Sequence, residues 1–295
     1  MPAWIFFSVA AAIFAAATTI FAKIGLGEID SHLVTALRTS MVIIFLFIVA
    51  LWTEAFADLS HLTRRGALFL FLSGLATGGA WLSYFRALQL GTVNQVVPID
   101  KSSTILTIFL ALLIFREPIS PVMGLGIVLI AIGTYLMIER KAGVRPSEPA
   151  NKSWIFFAVL AAAFSALTAI FGRIGMEGIH TNLGTFLRTI VVIPLSWTMV
   201  AVTRRTKGDG KRQDIGTKSF LFILLSAAGT AGSWLFFYHA LQIGPVSLVV
   251  PIDKLSIVVT MLFARIVLRE RFTRRAVFGL ALLTIGTLLP LIFGT

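Results

Sequence analysis

Long apolar runs alternate with short breaks, many of them polar or glycine-containing, along nearly the whole chain of 295 residues. Runs of about 20 apolar residues are long enough for a helix to cross roughly 30 Å of hydrocarbon. A soluble all-α protein would need polar helix faces, which these runs lack. The pattern therefore predicts an all-α integral membrane protein with ten transmembrane helices. The predicted spans are 4–24, 31–52, 66–90, 92–115, 119–139, 154–174, 181–202, 218–243, 245–268 and 273–293.

The second half of the chain repeats the first. Residues 4–50 and 154–200 are identical at 22 of 47 positions, and residues 69–117 and 222–270 are identical at 23 of 49. Shared apolar composition cannot place Trp81 in register with Trp234, or Arg38 in register with Arg188. We expect a first five-helix repeat at 1–143, a linker at 144–153 and a second five-helix repeat at 154–295.

The odd number of spans in each repeat fixes their relative orientation. If the first span runs from one side of the membrane to the other, the sixth must run back. The two repeats are therefore inverted about a pseudo-twofold axis in the membrane plane, which is a common transporter architecture.

The chain resembles the drug/metabolite transporter superfamily, and in particular its EamA-like ten-helix members. Pro98 and Pro251 lie early in the fourth helix of each repeat, inside "VVPIDK", and "FRE" or "LRE" closes that helix. The resemblance covers essentially the whole chain. It implies ten helices around a central cavity and transport, commonly export, of a small metabolite. It leaves open amino acids, sugars, nucleotide sugars, organic phosphates and toxic cations as substrates.

Composition limits which cofactors and binding partners are expected. The chain has no cysteine, and its four histidines show no metal-ligand spacing, so no cofactor, metal or enzymatic activity is expected. The net charge of +12 indicates cytoplasmic loops of a multi-pass cell-membrane protein rather than a nucleic-acid partner. The loop charges favour termini outside, whereas the resemblance favours termini inside. Expected partners are membrane lipid and a small-molecule substrate; a monomer would suffice, and a dimer stays open.

Charged residues inside the spans are the first candidates for a site. Asp100 and Lys101 form one pair, and Asp253 and Lys254 form its repeat. At 1.5 Å per residue, each Asp lies roughly 12 Å below the surface from which its helix enters. A charge at such depth is costly, so it should face the bundle interior or water and have a partner. Binding or coupling competes with a simple salt bridge that fixes helix packing. For Arg38 and Arg188, we favour the structural role, snorkelling or pairing with Asp100.

The proline before each pair predicts a helix kink. Pro98 and Pro251 have no N–H to donate, so the carbonyls of Asn94 and Ser247 lose their helical partners. Neighbouring helix residues point about 100° apart, so we expect only one member of each Asp–Lys pair to face a cavity.

Aromatic and hydroxyl side chains lie at similar depth. For Trp81 and Trp234, an aromatic wall for a flat or cationic substrate competes with ordinary helix packing. These further candidates are Trp81, Trp234, Tyr84, Phe237, Thr18 and Thr168.

The predicted function is secondary transport, with export the favoured direction, of a small anionic or zwitterionic metabolite such as an amino acid. The four intramembrane bases outnumber the two acids, which favours that substrate class slightly over a cation. Proton-coupled efflux of hydrophobic or cationic drugs, with the proton exchanged at the Asp residues, is the alternative within transport. Lipid scrambling is the alternative outside it.

Overall fold

The computed structural model describes residues 2–26, 29–90, 93–137, 153–207, 215–266 and 272–293. These residues are helical almost throughout, and a short 3₁₀ helix at Ala55–His61 follows the second α-helix. The α-helices are α1 (Ala3–Leu26), α2 (Ser31–Trp52), α3 (Arg64–Leu90), α4 (Val93–Lys101), α5 (Ser103–Ile114), α6 (Pro121–Met137), α7 (Ser153–Gly175), α8 (Thr181–Lys207), α9 (Thr217–Ile243), α10 (Val246–Lys254), α11 (Ser256–Ile266) and α12 (Arg274–Phe293).

Eight helical segments among the described residues are long and apolar enough to cross a membrane. The α10–α11 segment counts as one of them, over Val246–Ile266. The shorter α6 occupies the place of the fifth predicted span, and α4 with α5 occupies that of the fourth. This arrangement is an all-helical membrane fold, roughly consistent with the predicted count of ten.

The fourth and ninth predicted spans are both interrupted directly after the lysine of the repeated motif. Ser102 and Leu255 separate the two parts of each span, with nearly the same backbone angles: φ −64°, ψ −13° and φ −65°, ψ −12°. The amide of Leu255 donates to Ile252 O at 2.9 Å, three residues back, and Ser102 N does the same to Ile99 O at 3.1 Å. A continuous α-helix would use the carbonyl four residues back, which belongs to the proline.

The interruption therefore lies four residues beyond the position where the sequence predicts a kink. Pro251 itself is inside α10, and Pro98 lies within the backbone of α4, although its side chain is outside what the structure describes. Each proline has no N–H, so the carbonyl four residues before it lacks its helical donor. The hydrogen bond that reaches only three residues back also leaves the carbonyl of the proline itself without its helical donor.

The chain divides into two compact units. Unit 1 comprises Met1–Gly78 and Phe171–Ile243, and unit 2 comprises Gly79–Ile170 and Gly244–Thr295. Within unit 1, α1 packs on α9, and α2 packs on α8 and α9. Within unit 2, α6 packs on α12, and α10 packs on α5. Each unit takes segments from both sequence repeats, so the units and the repeats are different divisions of the chain.

The α6–α12 contact displays the relation between the repeats. A Cβ on Gly126 would lie 2.6 Å from Gly286 O, and a Cβ on Gly133 would lie 2.6 Å from Gly279 O. In the repeat alignment, however, Gly126 corresponds to Gly279 and Gly133 to Gly286. Each glycine thus contacts the counterpart of the other one, as a twofold axis between antiparallel helices requires. Backbones this close leave no room for a side chain.

Candidate functional site

Both copies of the PIDK motif lie in unit 2, although they come from different repeats. Asp253 Oδ2 and Lys254 Nζ form an ion pair at 3.6 Å, with side chains 18% and 36% exposed. Asp100 is close enough to interact electrostatically with both Lys101 and Lys254. Lys101 also interacts with Asp253 and with Lys254. We refer to Asp100, Lys101, Asp253 and Lys254 as the charge cluster.

The ion pair between neighbours in sequence differs from the expectation that Asp and Lys point apart. The lysine's four-carbon side chain is long enough to reach back across the roughly 100° between adjacent helical positions. The other lysine has a different environment, because Lys101 lines a cavity of about 60 Å³ with Ser102, Thr134 and Tyr135. That volume holds about two water molecules, so it marks the position of Lys101 rather than a space for a metabolite.

Tyr84 is a predicted aromatic residue that lies close to the charge cluster. It interacts electrostatically with Asp100. Its ring packs on the buried residues Ala87, Val96 and Ala158, so α3, α4 and α7 meet beside the cluster. The structure thus brings Tyr84 together with the four charges in unit 2.

Arg188 is buried in unit 1, with 1% of its surface exposed. Its Nε donates to Ser73 Oγ at 3.1 Å, and its Nη2 donates to Thr77 Oγ1 at 2.6 Å. The guanidinium carbon lies 5.2 Å from the ring centre of Trp234 and 4.6 Å from that of Tyr238. Its Nη1 has no hydrogen-bond acceptor among the described residues. Hydroxyl groups and aromatic faces of unit 1 therefore lie against this charge.

The remaining candidates are divided between the two units. Phe237 makes an edge contact with Tyr238 at 5.4 Å, and the Thr168 hydroxyl donates to Phe164 O in its own helix at 3.0 Å. Unit 1 holds Thr18, Arg38, Trp234 and Phe237, whereas unit 2 holds Trp81, Tyr84 and Thr168. A single site that contains all of them stays a prediction.

Glu117 is a residue whose role sequence reasoning missed. Its two carboxylate oxygens accept hydrogen bonds from the backbone of Val246 at 2.7 Å and of Ser247 at 2.9 Å. A carboxylate at this position accepts from two backbone amides that have no acceptor within the helix. Its negative charge is also favourable beside the positive N-terminal end of α10. Glu117 ends the "FRE" motif that marks the family resemblance, so the motif could have identified it.

Comparisons with known proteins agree on the type of protein. The model of the EamA-like transporter family matches residues 2–139 and 152–292. An uncharacterized transporter in the cobO 3' region of a Sinorhizobium species is 36% identical over 143 residues, which is 48% of this chain and 99% of that relative. A solved structure, described only as the crystal structure of a protein, is 16% identical with a TM-score of 0.79. It covers 98% of this chain and 96% of its own, and it supports the fold alone.

Proposed function

This chain belongs to the EamA-like transporter family, and we propose that it exports a small zwitterionic metabolite of the amino-acid type by alternating access. The observation that carries the proposal is the charge cluster. Two carboxylates and two ammonium groups, one pair from each repeat, lie within electrostatic range of one another in unit 2.

The balance of the cluster suits a substrate that carries both charges. Its two acids and two bases sum to zero, so neither a lone cation nor a lone anion completes it. An α-amino acid can place its ammonium group by Asp100 or Asp253 and its carboxylate by Lys101 or Lys254. Because charges are costly in a bilayer, such exchange of partners keeps the protein charges compensated during binding.

The broken helices provide further polar groups beside the cluster. The helices α5 and α11 begin directly after Ser102 and Leu255, so their positive N-terminal ends lie next to the lysines. The proline carbonyls, whose usual helical donors bond one residue later, lie on the other side of each break and can accept from an ammonium group. Discontinuous helices of this kind form substrate and ion sites in transporters with inverted repeats.

Ligand binding by the purified protein tests the proposal directly. We expect amino acids to raise the melting temperature, whereas organic phosphates, purines and quaternary amines should not. The effect should be lost in Lys254→Gln and in Asp253→Asn. Lys218→Gln, which changes an exposed lysine near the start of α9, is the matched control and should keep the effect. An amino acid that stabilises the parent and both cluster variants equally would refute the proposed site.

Transport measurements decide between this substrate class and cationic drugs. Proteoliposomes preloaded with unlabelled amino acid should accumulate the labelled compound by exchange. The two half-buried carboxylates, Asp100 and Asp253, make proton-coupled cation efflux the second candidate. This second candidate predicts efflux of a quaternary or hydrophobic cation. The efflux should depend on the pH gradient and be lost in Asp100→Asn/Asp253→Asn. If such efflux is found and no amino-acid exchange is found, the substrate is a cation and the amino-acid proposal is refuted.

A further inference from the structure

Equivalent faces of α2 and α8 have different environments in the structure. The three positions on each face follow a four-then-three spacing, so they lie on one side of the helix. On α8 all three side chains are at most 2% exposed, whereas on α2 the first is exposed and the other two are half-buried. The α8 face is Thr181, Thr185 and Arg188, and the matching α2 face is Ser31, Thr35 and Arg38.

At the Arg188 end, the α8 face is covered by α3. The bonds from Arg188 to Ser73 and Thr77 join these two helices. A Cβ on Gly74 would lie 2.7 Å from Arg188 O, so the two backbones also lie in close contact. The Trp234 ring of α9 covers the guanidinium from another side.

At the Thr181 end, the α8 face is covered by α9. The hydroxyl of Thr181 donates to Gln242 Oε1 and lies 3.3 Å from His239 Nδ1. The Gln242 side chain also donates from Nε2 to Met176 O at 2.8 Å and to Ile179 O at 2.9 Å. The turn between α7 and α8 is thereby fixed to the end of α9.

On the α2 side, the corresponding hydroxyl groups bond elsewhere. Ser226 and Thr230 occupy in the second repeat the positions of Ser73 and Thr77 in the first. Their partner is α1: Ser226 Oγ donates to Thr18 O at 2.9 Å, and Thr230 Oγ1 to Thr18 Oγ1 at 3.4 Å. No hydrogen bond or ion pair joins Arg38 to any residue within the described ranges.

We propose that Arg38 and Arg188 are alternating gate residues, of which one is bonded in each state of the transport cycle. In the state described, Arg188 holds α8 against α3, whereas Arg38 on the half-buried α2 face makes no hydrogen bond to the described residues of α9. In the other state, Arg38 donates to Ser226 and Thr230, and Arg188 is released. This gate rests on the alternating access of the proposed function, and it lies wholly in unit 1.

The two gates have the same bonding groups, which makes the exchange chemically balanced. Both have an arginine, a serine and a threonine at matching positions. Releasing one guanidinium costs about as much as bonding the other gains. A ligand can then shift the equilibrium through a modest difference in affinity between the states.

Small differences between the repeats favour the gate that is closed here. Gly74 and Gly78, which lie in close contact with α8, correspond to Ala227 and Ala231 in the second repeat. The methyl groups of these alanines pack against Val42 and Leu46 of α2 and leave less room for an equally close approach. Tyr238, which lies against Arg188, corresponds to Phe85. We therefore expect the Arg188-bonded state to predominate in the protein without substrate.

Thiol labelling measures the gate without a substrate, because the chain has no cysteine of its own. The reporters are the single variants Thr35→Cys and Thr185→Cys. Each threonine hydroxyl donates to the carbonyl four residues back in its own helix, at 2.8 Å, so neither change removes a bond between helices. A hydrophilic maleimide should label Thr35→Cys quickly and Thr185→Cys slowly.

Adding Arg188→Gln should raise the labelling rate of Thr185→Cys by roughly tenfold or more, because it removes the two charged hydrogen bonds to Ser73 and Thr77. The rate of Thr35→Cys should fall in the same background, because the population moves to the Arg38-bonded state. Arg38→Gln should do the reverse. Thr77→Val, which keeps the arginine, repeats the Arg188→Gln result if that variant does not fold. Thr189→Val is the matched control, since its hydroxyl bonds within α8.

The reciprocal change is the decisive observation. If Arg188→Gln and Thr77→Val raise labelling at position 185 but leave position 35 unchanged, Arg188 only fixes local packing and the gate is refuted. Equal rates at both positions in the parent also refute it. Reciprocal labelling with no amino-acid binding would keep the gate and overturn the proposed substrate instead.

Discussion

Arg188 and Thr77 are joined by a 2.6 Å hydrogen bond from a buried guanidinium to a hydroxyl on another helix. Such a charged bond is worth about 1.5–3 kcal/mol when it is broken on one side. Thr77→Val keeps the volume and removes the acceptor, so we expect a loss of that size in the free energy of unfolding. Thr189→Val removes a hydroxyl bonded within its own helix and should cost clearly less. Denaturant unfolding in detergent compares the two, and equal losses would contradict the assignment.

Glu117 should stabilise the start of α10. Its carboxylate accepts from two backbone amides, and Glu117→Gln replaces one acceptor oxygen by an NH₂ donor that faces an amide. We expect about 1–2 kcal/mol lower stability, similar to losing a helix cap. Glu177→Gln, an exposed acid in the α7–α8 turn, should have little effect. The measurement is the melting temperature, and an unchanged value for Glu117→Gln would show that the two bonds add nothing to stability.

The α6–α12 contact should not tolerate even one methyl group at its centre. A Cβ on Gly126 meets Gly286 O at 2.6 Å and the Pro290 ring at 2.7 Å, so Gly126→Ala must separate the helices. We expect a cost of about 1–3 kcal/mol, which is usual for overpacking. Gly124→Ala, two residues away in the same helix, meets nothing within 4 Å. It should be neutral or slightly stabilising, since Ala favours helix by about 1 kcal/mol. Thermal unfolding of both variants tests this difference.

Gln242 and Gln89 occupy equivalent positions but should differ in importance. Gln242 bonds to two carbonyls of the α7–α8 turn, whereas Gln89 is exposed and accepts from Arg86 Nη1 at 3.0 Å. Gln242→Ala should speed hydrogen exchange of the amides at 176–181 by roughly tenfold, since opening that turn no longer breaks these bonds. Gln89→Ala should leave that peptide unchanged. Exchange measured by mass spectrometry compares them, and equal protection would refute the clamp.

The sequence predicted the architecture well because the relevant signals are local or periodic. Apolar runs located the helices, and the constant alignment offsets revealed the duplication. The repeated motif also marked an irregularity of the fourth and ninth spans. It could not place the interruption at Ser102 and Leu255, because a proline disturbs bonds on both sides and packing selects which one yields.

The environments of Arg38 and Arg188 could not be predicted in the same way. The two lie within nearly matching segments, so residue type and spacing give them equal roles. Only the packing of α3 and α9 shows that one guanidinium is buried and bonded and the other is not. The ion pair of Asp253 and Lys254 is a related case, since helix geometry sets where a side chain starts but not where a flexible lysine ends.

The interleaving of the two compact units has a consequence for biosynthesis. Unit 1 lacks α9 until translation has passed Ile243, and unit 2 lacks α12 until the last turns are made. Neither unit can be completed while only the first repeat has left the ribosome. The early helices must therefore wait in the bilayer as inserted but unassembled segments, where premature termination would leave them as targets for quality-control proteases.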